Sequence, residues 1–278
     1  MMGSESGTHV RATTEEVLRT ARLREVQRAC VGCLAAALAL IVLSYSDVLI
    51  LDRYWGAGRT LATLARQAFP PDFSRWRAWA RPLVDTVAMS LSGTLLSLVL
   101  AAPLGILSAP SVGPVWLRGP LRFLLRGFRA IPCLVWGIVF VAALGFGPLP
   151  GVFALAAHST GTLGKFYGEL IEHVDAVPGQ ALESQGVSTV GVLRFSVWPQ
   201  ILPRLVDVSI YRFEHNVRAA TTLGAIGAGG LGLEIVTAFH LFEYREALAL
   251  ILVMLGLVSL IDGVGGYVRR GLLEGAST

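Results

Sequence analysis

Long apolar runs separated by short polar connections dominate this chain. Apolar stretches lie at residues 29–51, 83–108, 131–147, 149–164, 199–237 and 246–268. A helix needs about 20 predominantly apolar residues to cross the hydrocarbon of a bilayer, and it satisfies its backbone hydrogen bonds internally while doing so. A transmembrane barrel would instead show alternating segments of about ten residues, and none is visible. The pattern therefore predicts an all-α integral membrane protein, a polytopic helical bundle of about six spans. The first apolar run follows a polar segment, 1–28, that mixes Arg11, Arg19, Arg22, Arg24 and Arg28 with Glu5, Glu15, Glu16 and Glu25. A cleaved signal has a shorter apolar core, so 29–51 reads as an uncleaved spanning helix.

Composition sharpens the class. The chain is 54% hydrophobic and 15% charged, with a mean hydropathy of +0.63, whereas a soluble domain carries about 25% charged residues. Net charge is +4, and Lys165 is the single lysine among 23 basic residues. No basic stripe interleaves with aromatics as a nucleic-acid surface would, so the positive charge speaks to membrane orientation. Cys30, Cys33 and Cys133 all fall in apolar runs. A redox or zinc role needs an accessible thiolate and further ligands, so they read as small buried hydrophobes.

Arginine placement sets the expected topology. Residues 109–130 carry Arg118, Arg122, Arg126 and Arg129 without an acid, which predicts a cytoplasmic loop. The basic N-terminus and Arg269–Arg270 agree, with both termini cytoplasmic and a tail at 271–278. One segment conflicts. Residues 52–82, extracytoplasmic in this topology, hold six arginines among Tyr54, Trp55, Phe69, Phe73, Trp76 and Trp79. Arginine mixed with aromatics suggests a helix lying in the interface plane. Gly145 to Gly151 reads as a tight turn on the same side.

The most unusual stretch is 211–232, YRFEHNVRAATTLGAIGAGGLG. A charge at a helix centre costs about 2.5–3.5 kcal/mol on insertion scales, so Arg212, Glu214 and Arg218 together would cost on the order of 9 kcal/mol against lipid. Their face must meet protein, a water-filled path or headgroups. Arg212, His215 and Asn216 share one helical row, and Tyr211, His215 and Arg218 another. Glu214 and Arg218 are spaced to pair, which would leave Arg212 and His215 to meet an anion through the planar guanidinium fork. Two readings stand: a permeation path, or an internal structural network. Gly224, Gly227, Gly229, Gly230 and Gly232 permit close helix approach or an irregular segment beside a cavity, and a constriction or hinge fits best. Their literal GxGxxG lacks the strand and soluble βαβ unit of a dinucleotide site. His158, Ser159 and Thr160 interrupt the fourth span, where such hydroxyls ordinarily bond their own helix backbone.

A polar loop, 165–198, follows that span. Pro178 and Gly179 set up a helix start and Gly186 breaks it, giving a short helix at the membrane surface. Gln180-Ala-Leu-Glu-Ser-Gln-Gly186 with Pro199 resembles the cytoplasmic loop of binding-protein-dependent ABC importer permeases. Ala181, Gly186 and Pro199 keep the spacing; Gln180, Leu182, Ser196 and Trp198 depart from the residue types. The stretches 129–136, 155–165, 211–224 and 227–232 are similar to phosphonate importer permeases, a match covering about residues 80–270, with Phe69–Asp72 also similar. The resemblance implies the type I ABC importer permease fold over 83–270 in a bacterial plasma (inner) membrane. It implies coupling to an ATPase through Gln180, Ala181, Leu182, Glu183, Gly186 and Pro199. Its partners would be a second copy of the chain, two ATPase subunits and an extracytoplasmic binding protein. ATP and magnesium would belong to the ATPase subunits, and no cofactor to this chain.

The chain has no P-loop of its own. Gly164-Lys165 is followed by Phe166, and Ser159 stands where the motif needs its first glycine. The expectation is a permease subunit, not an enzyme, for phosphonate or a related phosphorus oxyanion such as phosphate or phosphite. Its path residues would be Arg212, Glu214, His215, Arg218, Gly227, Gly229 and Gly230. A permease for another solute such as an amino acid, and an ion-coupled carrier, are the alternatives.

Overall fold

A computed structural model describes residues 5–46 and 51–275. All regular structure among them is helical: α1 Glu5–Tyr45, α2 Leu51–Ala68, α3 Trp76–Ser108, α4 Val115–Ala130, α5 Cys133–Leu144, α6 Pro148–Glu172, α7 Val177–Ser184 and α8 Thr189–Val192. A π-helical turn, Leu193–Val197, leads into α9 Trp198–Leu223; a second, Gly224–Ala228, precedes α10 Gly230–His240 and α11 Tyr244–Gly275. The chain divides into two compact units, Met1–Ala65 and Arg66–Thr278.

In the first unit, the polar N-terminal residues and the apolar run form one continuous helix, α1. Its apolar part, Gln27–Tyr45, is long enough and apolar enough to cross a membrane. Cys30 and Cys33 are exposed on α1, a correction to their reading as buried in a core. An apolar side chain exposed on a spanning helix is solvated by lipid.

The second unit holds the bundle. α3 and α11 are also long and apolar enough to span, and two bent helix pairs qualify jointly: α4 with α5 at 88°, and 190–228 with α10 at 58°. The third apolar run differs from its sequence reading. α5 has 12 residues, about 18 Å of helix, too short to cross alone. Pro132 caps it and α4 lies across it at the bend. α4 is not a loop but an amphipathic helix, burying Leu121 and Leu125.

α6 is the hub, touching α3, α4, α5 and α9. Small residues let it approach so closely: a Cβ on Gly105 of α3 would stand 2.7 Å from the Gly164 carbonyl, and one on Gly161 would stand 2.6 Å from the Arg129 backbone nitrogen. The fourth apolar run thus continues from Pro148 to Glu172, about 37 Å at helical rise. α6 tolerates Ser159 and Thr160 in its middle because protein, not lipid, surrounds them.

The segment before α3 explains part of the arginine conflict. Arg75 pairs with Glu246 at 3.0 Å and approaches Glu243 at 3.7 Å. Glu246 also accepts from Trp79 Nε1 at 3.1 Å. Arg77 stacks on Trp76 at 5.5 Å. Arg75 and Arg77 therefore carry local partners, those of Arg75 being carboxylates at and just before the start of α11. Asp72 accepts the Ser74 backbone N–H at 2.8 Å, which holds its carboxyl below the ordinary carboxylate range.

Candidate functional site

The centre of the bundle is a polar relay through three helices. Arg212 on α9 is buried, and its Nε donates to Ser159 Oγ on α6 at 2.8 Å. Ser159 Oγ donates to Asn216 Oδ1 at 3.0 Å, and Asn216 Nδ2 donates to Thr94 Oγ1 on α3 at 2.9 Å. Thr94 closes the relay on the Ser90 carbonyl at 2.7 Å. Ser159, Asn216, Thr94 and Ser90 are all buried. The rest of the Arg212 guanidinium has no hydrogen bond and no carboxylate partner among the described residues. A buried charge of this kind is costly unless compensated. Here neutral hydroxyls and an amide position it and leave donors over, which is the chemistry of an anion receptor.

The other charges on α9 are answered differently. Glu214 is buried and accepts from Arg269 Nη2 of α11 at 2.8 Å; Arg269 also lies 4.0 Å from Asp207. Arg218 is half exposed and donates to both oxygens of Asp262, at 2.8 and 2.9 Å. The local Glu214–Arg218 pair expected from spacing does not form. α11 runs against α9 and supplies each charge with a better-placed partner, and tertiary geometry overrides a helix-surface pair worth only about 0.2–0.5 kcal/mol. Arg212 and Asn216 of the first predicted row are joined through Ser159. His215 is half-buried beside them, within electrostatic range of Arg212 and His158. Tyr211 and Arg218 of the second row are exposed.

Gly227, Gly229 and Gly230 make a break between α9 and α10. Their φ values are +94°, +81° and +74°, in a region that only glycine adopts without strain. The Gly147 N–H donates to the Gly227 carbonyl at 3.0 Å, and the Leu231 N–H at the start of α10 donates to Thr86 Oγ1 at 2.8 Å. The break is thus tied to the α5–α6 turn and to α3. Gly224 and Gly232 serve the other purpose foreseen: a Cβ on Gly224 would stand 2.6 Å from Gly232 Cα, so the two half-helices touch backbone to backbone.

At the opposite end of α9, α7 covers Val177–Ser184. Asp175 Oδ1 accepts the Val177 N–H at 3.0 Å as the helix starts. Gly186 ends it with φ +79°, its N–H bonded to the Glu183 carbonyl while Val187 N–H reaches Leu182. Gln200 holds the loop to α9, accepting the Asp175 N–H at 3.0 Å and donating to the Asp175 carbonyl at 3.2 Å. Gln180, Ala181, Glu183 and Gly186 are exposed, Leu182 is half-buried and Pro199 sits exposed in the first turn of α9. Around them Val177, Val190, Phe195 and Trp198 form an exposed apolar surface.

Sequence reading missed Ser159 and Thr94 as members of the central relay. Ser159 does not bond its own helix backbone as expected; its neighbour Thr160 does, to the Ala156 carbonyl at 2.7 Å. A signal was present: Thr86, Ser90, Thr94 and Ser97 recur every three or four residues and mark one polar face of α3.

Comparisons with known proteins agree with this architecture. Residues 101–274, more than half of the chain, match the family model of the binding-protein-dependent transport system inner membrane component. The phosphite transport system permease protein PtxC of Stutzerimonas stutzeri is 46% identical over 212 residues, covering 76% of this chain and 77% of that one. The phosphate-import permease protein PhnE of Mycolicibacterium smegmatis is 34% identical over 77% of this chain and 40% of that one. Among solved structures, an inward-facing MetNI methionine ABC transporter superposes with a TM-score of 0.60 at 21% identity, over 70% of this chain and 95% of that one. An amino acid ABC transporter does so with 0.60 at 15%, over 72% and 98%. These two likenesses establish the type I permease fold. The matched segment runs from within α3 into the last turn of α11 and takes in Ser159, Arg212 and Asn216 of the relay, the glycine break and α7: the chain belongs to the family of binding-protein-dependent transport inner membrane components.

Proposed function

We propose that this chain is the membrane-spanning permease subunit of an ABC importer for a phosphorus oxyanion, with phosphite, phosphonate and phosphate as the candidate cargoes. One observation carries the substrate class: the 46% identity across three quarters of both chains with a phosphite transport permease. The central arginine fits that class. An oxyanion presents several acceptor oxygens, and Arg212 offers a forked donor set with no carboxylate among the described residues to compete for it.

In this reading two copies of the chain enclose the path, an extracytoplasmic binding protein delivers the anion, and two ATPase subunits bind ATP and magnesium on the cytoplasmic side. Both termini and α7 face the cytoplasm. The exposed surface of α7 receives the ATPase, and Asp175 at its start passes the displacement to Gln200 in the first turn of α9. The glycine break at the far end of α9 absorbs the change in helix direction.

The test is uptake of labelled phosphite into vesicles holding this chain with its ATPase and binding protein. Replacing Gly186 with leucine, at a backbone position that side chains rarely adopt, should leave ATP hydrolysis running while uptake falls at least tenfold. Unlabelled phosphate and methylphosphonate should compete with phosphite, and methionine should not. Competition by amino acids alone would overturn the substrate class. Uptake by the chain without any ATP-hydrolysing partner would overturn the mechanism.

A further inference from the structure

A second concentration of positive charge lies away from Arg212, at the end of the bundle where α6 meets the α7 connection. A cavity of about 170 Å³ opens there between the C-terminal end of α3, α4 and α6. Its charged lining is Arg122, Arg126, Arg129, Lys165, Glu169 and Glu172. Both carboxylates are already spoken for: Glu172 pairs with Arg122 at 2.6 Å, and Glu169 with Lys165 at 3.2 Å. Arg122 is further committed through its Nε to the Ser108 carbonyl at 3.1 Å. Arg126 and Arg129 have no ion pair and no side-chain hydrogen bond among the described residues. The lining therefore carries two uncompensated guanidinium groups around a space well above the roughly 10–15 Å³ that one water needs.

From these observations we infer that the cavity binds a phosphate group, held by Arg126 and Arg129. Two guanidinium forks suit tetrahedral oxygens better than a monatomic anion. Gly161 and Gly168 of α6 line it as well, at the points where α6 packs closely on α4 and α3. The neighbouring face of α4 points to one source of the phosphate. Trp116 and Phe123 are about three-quarters exposed on the same helix, and an arginine stripe beside an exposed aromatic face is the pattern of a helix lying at a lipid headgroup layer. The other source is free phosphate in the aqueous phase. The site does not depend on Arg212 or on which anion is transported, so it stands or falls separately from the transport reading.

The experiment uses the full chain purified in detergent and titrates it with inorganic phosphate by calorimetry. In parallel, the chain is loaded into nanodiscs of phosphatidylglycerol or phosphatidylcholine, and retained lipid is counted by native mass spectrometry. Loss of at least tenfold in phosphate affinity in R126Q/R129Q identifies free phosphate as the ligand. Loss of retained phosphatidylglycerol in that variant identifies a headgroup. The exposed pair R66Q/R204Q removes the same charge elsewhere and should change neither readout. E169Q frees Lys165 and should tighten the bound ligand severalfold, a gain that a misfolded chain does not produce. If R126Q/R129Q matches the unaltered chain in both arms, or if E169Q weakens binding, the site is not there.

Discussion

Within two turns of α9, the protein handles charge in two ways. Arg212 is positioned by Ser159, Asn216 and Thr94, all neutral, and meets no carboxylate among the described residues. Glu214 and Arg218 are neutralised by Arg269 and Asp262 of α11. A charge matched by a fixed countercharge is a structural joint, since the pair together presents little field to a passing ion. A charge held by dipoles alone keeps its field. The first arrangement ties α9 to α11, and the second leaves a cation in the middle of the bundle. Of the two readings open at the sequence level, the network describes Glu214 and Arg218, and Arg212 is the residue left for the proposed path.

The largest effect should come from Arg212. R212A should reduce uptake of labelled phosphorus oxyanion at least tenfold while the complex still assembles. R212K keeps the charge but loses the fork, and should recover part of the rate. Equal uptake by R212A and the unaltered chain would return Arg212 to the structural class. E214Q should act on stability instead. Breaking a buried ion pair by removing one partner costs about 3–5 kcal/mol, but Arg269 is partly hydrated, so about 2 kcal/mol is expected. Thermal unfolding in detergent measures this, and R269Q added to E214Q should restore part of it. A double variant no better than E214Q would dissolve the idea of a joint. The smallest effect belongs to Arg218, whose pair with Asp262 is over 40% exposed on both sides. R218A should cost about 0.5 kcal/mol, as exposed pairs do, and change uptake less than twofold. If R218A lowers uptake as far as R212A, the contrast between the two arrangements fails.

Much of this was legible in the chain. Hydrophobic runs announce helices in a membrane because lipid offers backbone groups no partner. The helical register of Arg212 and Asn216 follows from the 3.6-residue period. Gly186 as a helix stop and the break at Gly227–Gly230 follow from conformations that only glycine adopts easily. α5 was misread because hydropathy measures oiliness, not length: Cys133–Leu144 is apolar enough but too short, and Pro132 stops it from continuing α4. α6 defies hydropathy in the opposite sense, carrying His158, Ser159 and Thr160 through the centre of the bundle.

The sequence alone determined that α9 could not show its charges to lipid, because the transfer cost is a property of each residue and its place in a helix. It could not determine which countercharge each would find. Glu214 is four residues from Arg218 and 55 from Arg269, yet it bonds the distant one. Ion pairs and hydrogen bonds act over about 3 Å of space, regardless of separation along the chain. Only the packing of α3, α6 and α11 around α9 decided that Glu214 and Arg218 would be cancelled and Arg212 would not.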